Sequence, residues 1–177
     1  MRRGLMVIWM LSVGLSSAAQ LYSTQSGKIL VSGKYNGATV AAVSNHLHMQ
    51  VNYDRAEMQV RLVIPTIITN NDSLNLLLLK LAGSEAHFMG KMNINYVQTK
   101  SHPKQKFTTN GNLTINGITK AFSFTSTLEH FPGGSVSCTL SAEFALNLDE
   151  FGINTQAGEN RIAIRFTQLI LKKPGEQ

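Results

Sequence analysis

Gly111-Asn-Leu-Thr-Ile-Asn-Gly-Ile-Thr-Lys-Ala-Phe-Ser-Phe-Thr-Ser-Thr127 holds two alternating runs that meet at Asn116-Gly117. Leu113 and Ile115 share one face of the first run. Phe122, Phe124, Ser126 and Leu128 share one face of the second. Asn-Gly accepts the positive φ angles of a tight two-residue turn, so the stretch reads as an antiparallel hairpin.

The same grammar extends in both directions. Upstream, Lys28 to Tyr35 is a strand ended by Asn36-Gly37. Leu47, Met49, Val51 and Tyr53 alternate with polar residues, as do Met58, Val60, Leu62 and Ile64, with Asp54-Arg55-Ala56 as the connection between the two runs. Pro65 ends the third run because it has no N–H to give to a ladder. Four consecutive leucines, Leu76 to Leu79, break the period of two. Asp72 or Ser73 caps a short helix or crossover over 73–82, and Gly83 stops it. Strand character resumes at Met92, Ile94 and Tyr96, followed by a polar loop over Ser101 to Lys106. Downstream of the hairpin, Pro132-Gly133-Gly134 reads as a turn, Val136 to Leu146 as a strand, Asp149 to Gly158 as a loop, and Ile162 to Ile170 as the last strand. About eight strands with no βαβ rhythm specify an all-β antiparallel fold with one apolar face, as a barrel or a sandwich. Closure into a barrel removes exposed edges.

The 177 residues suit one domain. Residues 1–19 read as a cleavable signal peptide: Arg2 and Arg3, an apolar run from Leu5 to Leu15 shorter than a bilayer span, then Ser17-Ala18-Ala19. Residues 20–177 are then a single exported domain, periplasmic or secreted, without stable membrane insertion. The formal charge of +6 falls to +4 without Arg2 and Arg3. The densest basic cluster, Lys100, Lys104 and Lys106, has no interleaved aromatic platform, which argues for a solvated loop and against nucleic acid. Cys138 is the one cysteine, so no internal disulfide forms. It alternates with Val136 and Leu140 and reads as a small buried apolar residue.

Catalytic chemistry finds little support. There is no Gly-x-Ser-x-Gly elbow, and Asp149-Glu150 is the only adjacent acidic pair, in turn surroundings. His46 and His48 share a strand face and could hold a metal only with a third ligand that nothing local supplies. Two solvent-facing histidines are the simpler reading. No cofactor and no metal are expected. What remains is the apolar interior, rich in Met and Phe. An eight-stranded barrel of this size is either filled by its own side chains or holds one small ligand.

The Gly111–Phe122 segment resembles the hallmark of the YceI-like family, a Gly-x-Leu-Thr-Ile-x-Gly-Val-Thr-Lys-x-Val pattern that begins a hairpin. Phe144-Ala-Leu-Asn-Leu-Asp-Glu-Phe-Gly-Ile153 is similar to the family's strand ending in Asp-x-Phe-Gly-Ile, and Met58 to Leu76 is similar to its strand, crossover and short helix. The resemblance implies an eight-stranded, lipocalin-like antiparallel barrel in the bacterial periplasm. It also implies an apolar tunnel for a polyisoprenoid or another long apolar lipid, and no catalysis. Alternation nominates Met49, Met58, Leu62, Met92, Ile94, Tyr96, Phe122, Phe124, Leu140, Phe144 and Phe166 as its lining. An exported structural or stress-related interaction protein with a filled barrel is the alternative, and a histidine-metal enzyme the weaker one.

Overall fold

Asn116 and Gly117 have φ angles of 51° and 76°, and Asn36 and Gly37 have 52° and 74°. Both Asn-Gly pairs therefore form turns whose twist matches the strands they join. The first closes the hairpin of β1 (Leu21–Tyr35) and β2 (Ala38–Asn52). The second closes that of β6 (Gln105–Ile115) and β7 (Ile118–His130), paired in unbroken register from Ile115↔Ile118 to Gln105↔Leu128. The computed structural model describes residues 20–81, 83–100, 103–131, 138–153 and 160–171. Residues 1–19, the Pro132-Gly133-Gly134 turn and the second half of the 149–158 loop lie outside them.

The remaining strands are β3 (Glu57–Val63), the two-residue β4 (Ile68–Thr69), β5 (Glu85–Met92), β8 (Cys138–Asn147) and β9 (Arg161–Leu171). The sheet runs β1-β9-β8-β7-β6-β5-β3-β2, and β1 also pairs with β2, so eight antiparallel strands close on themselves. β4 is an extra strand laid on β2 through Ala42↔Thr69 and Val43↔Ile68. The helix α1 (Asp72–Lys80) lies between β4 and β5. All-β with an eight-stranded barrel and one short helix is thus what the sequence specified.

Several boundaries differ from expectation. β1 starts at Leu21, because a register shift around Gly27 lets Tyr22 and Ile29 both point inward. The α1 cap is Asn71, whose side chain accepts the Leu74 N–H at 3.0 Å, and Asp72 is the first helical residue. β5 occupies Glu85–Met92 and stops there. The Asn93 side chain accepts the Thr108 N–H at 2.9 Å in place of a backbone carbonyl, which ends the ladder. Ile94 and Tyr96 therefore lie in a bend after the strand, and Tyr96 is 62% exposed.

Antiparallel order sorts the connections into two ends. The β2–β3, β5–β6 and β7–β8 links share one end. Tyr22, Tyr53, Met58, Met92, Leu128, Leu140 and Cys138 are buried in the half of the barrel that approaches it. The β1–β2 and β6–β7 turns, α1 and the β8–β9 link share the other end, where the interior is hollow.

Candidate functional site

The hollow is a cavity of about 540 Å³. Its walls are the inward residues of strand ends, among them Ile29, Val31 and Gly33 of β1, Val40 and Ala42 of β2, and Ile162 and Ile164 of β9. Small inward side chains make the room. Gly33, Ala42 and Ala86 stand where a filled barrel would carry large ones. Gly33 is additionally held small by its neighbour, since a Cβ there would lie 3.0 Å from Ile162 Cγ2.

The roof is α1. With 3.6 residues per turn, Leu74, Leu77, Leu78 and Leu81 fall on one face, and all four line the cavity. No helix residue is fully buried. The helix is fixed by hydrogen bonds on one flank. Asn75 Oδ1 accepts from Thr69 N at 2.7 Å and from Thr69 Oγ1 at 2.8 Å, while its Nδ2 donates to Thr69 O at 3.1 Å. Asn70 ties the same segment to β2 through bonds of 3.1 Å in both directions with the Ala41 backbone. The β8–β9 link adds Leu148 and Ile153 to the wall. Gly152 turns this link at a φ of 67°, and Phe151 is buried beneath it.

The floor is aromatic. Phe88, Phe122, Phe124, Phe144 and Phe166 pack across mid-barrel at centroid distances of 4.9–6.4 Å. A second hollow of about 80 Å³ lies among them and shares Ile29, Leu62, Ala86, Ile115, Leu146 and Ile164 with the large cavity. The belt fits because Gly90 and Gly111 face each other across β5 and β6. A Cβ on Gly90 would meet Phe88 Cζ at 2.5 Å, and one on Gly111 would meet Met89 O at 2.1 Å.

Charge is scarce in this site. Lys34 is the single charged residue of the described lining, joined at the rim by Ser32, Tyr35 and Thr69. Outside the barrel, Arg61 donates two hydrogen bonds to the Glu85 carboxylate and holds it below the usual carboxylate range. His46 and His48 point outward, and no group of three His, Cys, Asp or Glu that could hold a metal occurs among the described residues.

A family model described as the YceI-like domain matches residues 17–168. The chain is a YceI-like protein. Three solved structures resemble this YceI-like barrel. A polyisoprenoid-binding domain from Saccharophagus degradans aligns with a TM-score of 0.68 at 9% identity, covering 89% of this chain and all of its own. Burkholderia cenocepacia BcnA aligns with 0.58 at 16% identity, covering 82% and 94%. A mutant CJ YceI protein carrying a monobromobimane guest aligns with 0.51 at 16% identity, covering 80% and 83%. No curated protein matches by sequence.

Within the YceI-like barrel the eleven residues nominated from alternation separate by height. Leu62 borders both hollows. Phe122, Phe124, Phe144 and Phe166 border only the lower one, as the floor belt. Met49, Met58, Met92 and Leu140 are buried in the core and line neither hollow. Ile94 packs on the core from the bend, and Tyr96 faces solvent. The roof leucines and the small wall residues were not nominated. Small residues at inward positions near the Asn36-Gly37 turn are the sequence signal that points to them.

Proposed function

We propose that the protein is a non-catalytic exported carrier that holds one long apolar lipid, of the isoprenoid type, in the barrel. The observation that carries this reading is the apolar cavity of about 540 Å³ under α1. It lies within the roughly 300–1,000 Å³ typical of small-molecule sites. Apolar burial supplies the affinity, about 0.8 kcal/mol per CH₂. Lys34 and Tyr35 at the rim offer polar anchors for a head group. The Saccharophagus relative, described as polyisoprenoid-binding, supports the ligand class. The signal-like segment 1–19 supports export, and no described helix is long and apolar enough to cross a membrane. The hollow weighs against an interaction protein with a filled barrel.

Native mass spectrometry of protein purified from its own host, followed by lipid extraction, tests the reading. One apolar lipid per barrel is expected. Ala86→Trp, which fills the space shared by the two hollows, should lower uptake of a polyprenyl alcohol at least tenfold. A lipid-free protein that takes up no polyprenyl alcohol would refute the proposal.

A further inference from the structure

Among the described residues nine large apolar side chains are exposed, and five of them, Ile68, Leu76, Leu77, Leu79 and Leu81, belong to β4, α1 and the helix C-cap. They divide by face. Leu77 and Leu81 line the cavity and yet are 45% and 44% exposed, so the cavity wall itself opens to solvent along the helix. Leu76 and Leu79 look away from the cavity at 62% and 61% exposure, with Lys80 on the same side, and Ile68 on the neighbouring strand is 65% exposed. Asp72 begins the same outer side. A helix that lies on a protein core buries one face and wets the other. This one carries leucines on both, because one face meets the cavity and the other meets nothing among the described residues.

We infer that the outer face of α1 and Ile68 form a docking tip that inserts shallowly into a lipid bilayer surface. The occupant follows from continuity. The exposed patch and the cavity are two sides of one nine-residue helix, so a bilayer against the patch brings its acyl region to the opening beside Leu77 and Leu81. An apolar molecule then passes between bilayer and barrel without crossing water. Lys80 lies at the edge, where its stem stays in the apolar layer while its ammonium reaches lipid phosphates. The bilayer as occupant and the transfer step rest on the lipid-carrier reading above; the exposure of the patch does not.

Flotation with mixed phosphatidylethanolamine–phosphatidylglycerol vesicles tests this, comparing the unaltered protein with Ile68→Ser/Leu76→Ser/Leu79→Ser in the same chain. The unaltered protein should float, and the triple variant should partition on the order of 100-fold less, as expected for three lost apolar side chains. Both should melt at the same temperature, because the three side chains are exposed, and both should take up a polyprenyl alcohol equally from solution. Equal flotation of the two forms, including flotation driven by residues 1–19, overturns the inference. So does a protein that pairs with itself through the patch, seen as a dimer by light scattering that the triple variant abolishes without any flotation. A protein that floats but holds no lipid keeps the docking tip and loses the carrier reading. One that holds lipid but does not float does the reverse.

Discussion

At the scale of single residues, Gly111 does more than begin a recognisable motif. Its missing Cβ lets the β5 backbone approach, with Met89 O and Gly90 Cα only 2.1 and 2.4 Å from where that carbon would stand. Backbone cannot step aside as a side-chain end can. Gly111→Ala should therefore destabilise by about 1–3 kcal/mol, measured by urea unfolding. At the closed end, Tyr53 is buried against Tyr22 with ring centroids 4.0 Å apart. Burial, and secondarily Cys138, push its phenol well above the ordinary value of 10.0. The unfolded chain then ionises first, so the stability that Tyr53 contributes is complete below pH 10.0 and declines as the pH rises beyond it. In an ultraviolet titration Tyr53 should stay protonated while exposed tyrosines ionise, and should ionise only together with unfolding. A Tyr53→Phe variant whose alkaline unfolding curve is unchanged would contradict this.

At the scale of elements, α1 is held more by hydrogen bonds than by burial. Asn75 supplies three of those bonds to Thr69, and Asn71 caps the helix start. Asn75→Ala removes the clasp and takes the side-chain acceptor from the Thr69 N–H, while Thr69 Oγ1 keeps its bonds to the Asn71 backbone, a cost of about 1–3 kcal/mol. That cost falls on the roof, since the barrel hydrogen bonds are untouched. The expected result is faster release of a bound polyprenyl alcohol in stopped-flow measurements, with little change in the melting temperature of the barrel. The elements were unevenly legible in the sequence. Alternation and Asn-Gly pairs exposed the hairpins, because a two-residue turn fixes register locally. β5 was hidden because its inward positions include Ala86 and Gly90, which do not read as an apolar period. The helix was visible from Leu76 to Leu79, but its cap was not, since Asn71, Asp72 and Ser73 can all serve and only the chain direction out of Thr69 chooses among them.

At the scale of the whole molecule, the interior has a gradient along its axis: packed Tyr, Met and Leu, then a phenylalanine belt, then empty space. Alternation tells which face a side chain takes and nothing about its height along the barrel. That is why Met49, Met58 and Met92, which border neither hollow, were nominated beside residues that do, while Gly33, Ala42 and Ala86 were passed over. Strand offset around the ring sets the height, and offset is a property of all eight strands together.

The pairing of β1 with β9 has a temporal consequence. It joins Leu30 to Arg165 and Ser32 to Ala163, so the ring cannot shut until the chain through about Arg165 has left the ribosome. Such distant pairing is slow, because loop-closure entropy is spent before the contact repays it. A nascent chain ending before Arg161 has strands but no ring, and therefore no hollow to fill. The delay also keeps the preceding strands an open sheet until β9 is available, and the chamber comes into being only with that strand.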